Sequence, residues 1–352
     1  MREHFARLLH RAGALAAMMN LRRHVPGPST VSILTYHHIA DEDAAYPYDA
    51  GVADATPQQF RRQMELLARY GTPIGVDELI RALGGAQLPK NPVMVTFDDG
   101  YRSCHDVALP ILRAVGMRAT FFVATGYINE RKLYWWERVA LCLSQARVPA
   151  AIITYPKTVE VASRHPHSHR VLLDLIKDTP NLDIKRFIDE LCAAFGVEWS
   201  DEIEATHAGN LIMSWDHVRG LSRAGMDVES HSRWHRVLQT LDDGQLRDEL
   251  EGSKHDLETQ LGRPCRAIAY PVGRRISHLA RIRNAVKAAG YRIGLSNASG
   301  ATRIWPGSLG EVMPSDPFDI HRVSTDREMS DSMFLAQIAL PQLAYIGRHD
   351  SD

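Results

Sequence analysis

Several things are scarce in this chain of 352 residues, and each scarcity closes a class of explanation. Cysteine occurs four times, at Cys104, Cys142, Cys192 and Cys265, with no two spaced as CxxC. That pattern argues against a disulfide framework or a cysteine-held zinc, and for small buried residues of a reduced cytosolic protein. Basic charge is not in excess: 41 Lys and Arg stand against 42 Asp and Glu, and the sequence pI is near 7.0. A nucleic-acid partner, which draws on a basic surface, has no support. Internal repeats and low-complexity tracts are absent.

What is present starts with an ample apolar fraction, 45%, enough for a sizeable core. The first residues are basic and apolar at once. Phe5, Leu8, Leu9, Ala12, Leu15, Ala16 and Met19 follow helical spacing, with Arg2, Arg7, Arg11, Arg22 and Arg23 between or beside them. His10 and Arg11 interrupt any secretory-type apolar run. The uncharged run Ala12–Leu21 has ten residues, about half of the ~20 that a spanning helix needs. Two readings of residues 1–30 stay open: a basic amphipathic helix lying on a membrane surface, or a helix docked on the domain.

Beyond it, strand-like and helix-like segments alternate. Val31–Tyr36, Val93–Phe97, Ala119–Ala124, Met226–Glu229, Ala267–Tyr270, Tyr291–Leu295 and Ile320–Ser324 read as strands. Helices are expected after Thr56-Pro57 to Tyr70, over Val76–Leu83, Asp106–Val115, Trp215–Ala224, Gln245–Leu261 and Leu279–Ala289. Repeated strand–helix units imply a parallel sheet, and seven or eight of them an α/β fold closed as a distorted (β/α)7–8 barrel. The rhythm breaks between Tyr127 and Met213, which reads as an inserted, mainly helical lobe with patterns near Glu137–Ala146, Val171–Lys177 and Ile184–Phe195. The expected division is therefore a barrel from 31–126 and 214–340, a lobe at 127–213, and a tail at 341–352.

Three motifs fall at predicted strand ends, where barrels carry their chemistry. Thr96-Phe97-Asp98-Asp99-Gly100 closes a buried strand with two carboxylates, one free to bind metal and one to act as base. Ser230-His231-Ser232-Arg233-Trp234-His235 places two imidazoles four apart, a spacing that one helical turn can bring to a single metal. Neutral imidazoles with a carboxylate suit zinc, cobalt or nickel and leave room for water. Ile268-Ala269-Tyr270-Pro271-Val272-Gly273 forms a tight turn whose amides can face a pocket. Each motif alone is an ordinary turn; three at strand ends of one barrel form a site.

In this order the motifs resemble the polysaccharide deacetylase superfamily, carbohydrate esterase family four, over roughly Val31–Thr325. The opening Ile33-Leu34-Thr35-Tyr36-His37-His38-Ile39 resembles the subgroup that acts on exopolysaccharides and surface glycans. The resemblance implies Asp98 as general base and a divalent metal, most simply Zn, on Asp99, His231 and His235. It further implies a pocket shaped by Tyr270, Pro271 and Val272, with the Val272 amide at the oxyanion. Two departures follow. Ala269 stands where many members have the arginine that pairs with the base, and Arg322 offers a substitute guanidinium. No Leu-x-His motif supplies a general acid, leaving His321 and His37, the latter better placed by barrel logic. Trp135 and Trp136 offer either a sugar-stacking surface or a helix anchor.

The expected activity is removal of an N-acetyl or other N-acyl group from an amino sugar of a bacterial polysaccharide or lipid-linked glycan. An amidase or deformylase on a non-polymeric substrate, and a non-catalytic glycan-binding protein on a degenerate barrel, are the competing readings. The implied partner is an N-acetylated glycan, and the expected location is the cytoplasm, with peripheral contact at the inner membrane.

Overall fold

The computed structural model describes residues 2–22, 29–41, 46–165, 167–299, 302–304 and 316–340. The expected tail at 341–352 lies outside them. Seven strands, β1 (Ser29–Tyr36), β2 (Pro92–Phe97), β3 (Thr120–Val123), β4 (Asp227–Ser230), β5 (Ala267–Ala269), β6 (Ile293–Ser299) and β7 (Ile320–Ser324), follow one another around a ring. Every neighbouring pair is parallel, and β1 closes the ring between β7 and β2, with Tyr36 opposite Phe97. This is a closed seven-stranded barrel with helices outside, the (β/α)7 member of the expected class.

Alternation along the strands sorts the side chains. Val31 and Ile33 of β1, Met94 of β2, Phe122 of β3, Ala267 and Ala269 of β5, Ile293 and Leu295 of β6 and Ile320 of β7 form one buried cluster inside the ring. The helix Val76–Leu83 closes its bottom with Val76, Leu79 and Ala82. The opposite parity, including Leu34, Val95, Phe97, Phe121, Val123 and Ile268, packs outward in the main core shared with the helices. Polar residues of the inward parity occupy the top: Thr35, Thr96 and Arg322 are fully buried there.

Three expectations need correction. The segment Gln245–Leu261 is not one regular helix: Asp243–Arg247 and Ser253–Leu261 flank a π-helical turn over Asp248–Gly252. A second π turn, Cys104–Ala108, precedes the short helix Leu109–Ala114. Strand β6 starts two residues later than expected and runs on to Ser299.

Between β3 and β4 the chain makes helices Trp135–Ser144, Ser168–Asp178, Ile184–Ala194 and Asp201–Leu211, and a two-stranded antiparallel hairpin, Ala150–Ile153 with Val159–Ala162. The N-terminal segment is two helices, Arg2–Arg11 and Ala14–Arg22, that break near Gly13, whose φ is +71°. Ala6, Leu15 and Met19 are buried, while Phe5, Leu8 and Leu21 are exposed. Glu3 accepts from Ser330 Oγ, His10 pairs with Ser332, and the Met19 carbonyl accepts from Asn91. Docking on the domain is thus a fact of the fold, and one apolar strip is left outside it.

Candidate active site

Four elements converge at the top of the barrel. Asp98 continues the inward parity of Met94 and Thr96 beyond β2, so its carboxylate enters the ring. There Arg322, of the same parity as Ile320 on β7, meets it with Nη1–Oδ1 and Nη2–Oδ2 bonds of 2.7 Å each. Arg322 also donates to Thr96 Oγ1 at 3.2 Å and is completely buried. Burial alone raises the Asp98 pKa, but Arg322, and after it His231, outweigh burial and hold the carboxyl well below the usual range. Asp98 is therefore a carboxylate throughout the physiological range.

Asp99 turns away through a left-handed backbone, φ +69°, with Gly100 following at φ +105°. Its carbonyl accepts from Ala124 N–H and from Tyr134 Oη, which fixes the turn. His231 Nδ1 lies 2.9 Å from the Ala269 carbonyl, so Nδ1 carries the proton and Nε2 presents its lone pair. The two imidazoles do not share a helical turn, contrary to the reading of their spacing. Ser232 and His235 are both left-handed, at φ +62° and +51°, and the segment folds as an irregular turn. Ser232 Oγ accepts from His235 N–H, and Glu249 accepts from the N–H groups of Arg233 and Trp234. Trp135 Nε1 donates to the His235 carbonyl, and the Trp136 ring lies 4.5 Å from the His235 ring. Burial holds the His235 imidazole near a pKa of about 3, so it is neutral.

Whether these residues fit a metal can be tested on their own atoms. Asp99 Oδ1 is buried without a hydrogen-bond partner and lies 3.3 Å from Nε2 of both His231 and His235. Donor atoms on a tetrahedral ion with bonds of about 2.0–2.1 Å stand about 3.3–3.4 Å apart. With both Nε2 atoms unprotonated, three such atoms repel one another unless a cation sits among them. A second His/Asp group, His105, Asp106 and His217, lies on the surface. There His217 Nδ1 accepts from Ser214 N–H at 3.0 Å, so its proton is on Nε2 and that nitrogen cannot ligate.

A pocket of about 210 Å³ opens over the group, lined by His37, Asp98, Asp99, Trp135, Trp136, Lys177, His231, His235, Val272 and Asn297 among others. His37 belongs to it. The Asp54 carboxylate accepts from both its backbone N–H, at 2.5 Å, and its Nδ1, at 2.9 Å. Burial pulls the imidazole pKa down, but contact with Asp54 carries it up to about 10. His321 is not in the pocket. It alternates with the inward Arg322 and points to the other face of β7, so the strand's pleat removes it. Tyr270 is not in the pocket either: its ring is buried and its hydroxyl donates to the Phe318 carbonyl. Pro271 is buried beneath the turn, and Val272 alone of that motif lines the pocket, in a left-handed conformation at φ +62°. Arg322 pairs with Asp98 and does not line the pocket. Asp54, Asn297 and Lys177 escaped the sequence reading because no motif contains them; Asp54 acts across 17 residues through a two-strand pairing with His38–Ile39. A larger cavity of about 970 Å³ lies in the lobe behind Trp135, and neither Asp98, Asp99, His231 nor His235 lines it.

The family model for polysaccharide deacetylase matches residues 85–294. The match stops short of β1 and β7, so His37 and Arg322 lie outside it. Among solved structures, the fold is similar to the Streptococcus pyogenes deacetylase PplD in complex with acetate (19% identity, 89% of this chain and 99% of that one, TM-score 0.57). It is also similar to the BpsB deacetylase domain from Bordetella bronchiseptica (17% identity, 87% and 100% covered, TM-score 0.51). A third is IcaB from Ammonifex degensii (17% identity, 90% and 96% covered, TM-score 0.51). A comparison with curated protein sequences gives no match.

Proposed function

The chain belongs to the polysaccharide deacetylase family, and from that premise we propose that it hydrolyses the N-acetyl group of an amino sugar in a bacterial glycan with a divalent metal held by Asp99, His231 and His235. The observation that carries this is the orphaned Asp99 Oδ1, 3.3 Å from the Nε2 atoms of two imidazoles and beside an ionised Asp98. Zinc fits the donor set best, with cobalt or nickel next. Such an ion supplies Lewis acidity, polarising the acyl oxygen and acidifying water.

The protein groups supply the rest. Asp98, held ionised and oriented by Arg322, takes the proton of the attacking water. The Val272 N–H, presented by its left-handed turn, donates to the oxygen on which negative charge develops. His37, kept protonated by Asp54, delivers a proton to the departing amine, which an amide needs because its anion is a poor leaving group. Trp135 and Trp136 wall the pocket and hold His235; their rings serve the ligand set first.

The test is acetate release from a panel of N-acetylated oligosaccharides together with metal analysis. Asp98→Asn should lose turnover, by about 10²-fold or more, and keep the metal; Asp99→Asn should lose the metal. The reverse pattern would exchange the two roles, and metal bound equally by all variants would remove the ligand assignment.

No helix among the described residues is long and apolar enough to cross a membrane. For the N-terminal helices we propose contact with an anionic lipid surface through Phe5 and Leu8, exposed one turn apart beside Arg11. Flotation with anionic vesicles at low salt checks it. The full chain should float and a Phe5→Ser/Leu8→Ser variant should not; equal behaviour of the two would show that the strip does not bind lipid.

A further inference from the structure

Barrel residues and the lobe line the pocket together. Besides Trp135 and Trp136, the lobe contributes the helix Ser168–Asp178, with Leu173 and Lys177, one turn apart, both lining the pocket. One turn earlier, His169 Nε2 approaches Asp49 Oδ2 at 3.9 Å, so a single helix face looks onto the site. The end of this helix is latched to the barrel: Asp178 pairs with Arg274, which directly follows the Pro271–Gly273 turn.

Among the described residues, Lys177 is the only Lys or Arg lining the pocket. Its ammonium makes no ion pair or hydrogen bond with any described residue, and burial keeps its pKa below the usual lysine range. The pocket's carboxylates already have partners. Asp98 is bonded by Arg322, and Asp99 faces the two imidazoles. Asp49 accepts from Gly51 N–H, stands 3.9 Å from His169 Nε2, and acts on Lys177 only by charge at a distance. A partly desolvated cation that lines a substrate pocket, with Asp174 and Asp49 acting on it only at a distance and no direct salt bridge, is a feature that an anionic ligand satisfies.

Resting on the deacetylase reading, we infer that Lys177 is a specificity residue of the lobe that receives an anionic group, a carboxylate or phosphate, carried by the glycan next to the sugar being deacetylated. The substrate class is then an acidic glycan, and the lobe is what selects it.

Three probes separate the sources of charge: neutral N-acetylchitotetraose, a hyaluronan tetrasaccharide with ring carboxylates, and UDP-N-acetylglucosamine with phosphates. The zinc-loaded full chain and its Lys177→Gln and Lys177→Glu variants are compared by kcat/KM for acetate release. Saturation-transfer NMR, which needs no turnover, is run on the same probes. The wild type should favour one anionic probe over the neutral one. Lys177→Gln should shrink that ratio roughly tenfold, the loss of one charge-assisted hydrogen bond, and Lys177→Glu should invert it. Because the readout is a ratio within each variant, a general folding defect does not imitate it. Preference for hyaluronan assigns the anion to a carboxylate, and preference for the nucleotide sugar to a phosphate. No anionic preference in the wild type, or a ratio unmoved by the substitutions, overturns the proposal. Should no probe release acetate, Lys177-dependent binding of an anionic probe would uphold the anion site and count against the deacetylase reading. Binding indifferent to Lys177 would overturn the site itself.

Discussion

Arg322 and Asp98 form a buried, doubly hydrogen-bonded pair in which neither charge has water to fall back on. Removing one member of such a pair costs about 3–5 kcal/mol of stability. Arg322→Met should therefore lower the thermal midpoint, and it should also leave burial as the dominant influence on Asp98, raising its pKa. The acid limb of the kcat/KM profile should move to higher pH, whereas Arg322→Lys should move it less. A limb that stays in place would mean that Arg322 does not tune the base. For the proposed proton donor, Asp54 keeps His37 protonated up to about pH 10. Asp54→Asn removes the carboxylate and leaves the desolvation that pulls the imidazole down. The alkaline limb of kcat should fall toward neutrality, as a pH–rate series would show; an unmoved limb would remove His37 as the proton donor. These two partners differ in how far the sequence displays them. Arg322 shares the inward parity of Ile320 and was readable as a guanidinium for the base. Asp54 lies in no motif and meets His37 only after a short strand pairing has formed.

At the level of elements, the helix Trp135–Ser144 joins the lobe to the chemistry through its first turn. Trp135 reaches the His235 carbonyl, Trp136 donates to Tyr101 Oη, and Glu137 accepts from both Tyr101 Oη and Asp49 N–H. Burial carries the Glu137 carboxyl up to about 8, against hydrogen bonds that lower it. An acid with a folded pKa above its unfolded value near 4.5 binds more protons folded than unfolded between the two. Its stabilising contribution is full below the lower value and is lost as pH rises to the upper one. The share of stability that belongs to Glu137 should thus fall between about pH 5 and pH 8, so Glu137→Gln should change the pH slope of stability in denaturant across that window. A variant with the wild-type slope would assign the slope to another group. Helical periodicity pointed to this helix, yet it could not display three consecutive side chains serving three different partners. The HxxxH spacing misled for a related reason: residues four apart meet in a helix, but here left-handed Ser232 and His235 bring the rings together in a turn held by Glu249.

For the whole molecule, the ring was legible because each barrel strand is a short apolar run followed by a turn, and parallel neighbours succeed one another in chain order. The interior of the lobe was less so, since its hairpin has exposed and half-buried positions with little apolar contrast. Its attachment has a consequence of another kind. The lobe departs after β3 and returns before β4, two strands that pair directly, and its exit is tied to Gly100 beside Asp99 by the Met213 N–H. The ring's register is therefore indifferent to how many residues the excursion contains. The early part is bound to the site, the helix Thr125–Glu130 through Tyr127 and the helix Trp135–Ser144 through Trp135, Trp136 and Glu137, whereas the helix bearing Lys177 comes later. Such a chain can exchange the later part for another and acquire a new taste in substrates while the reacting atoms stay where they are, much as a lathe accepts a different chuck.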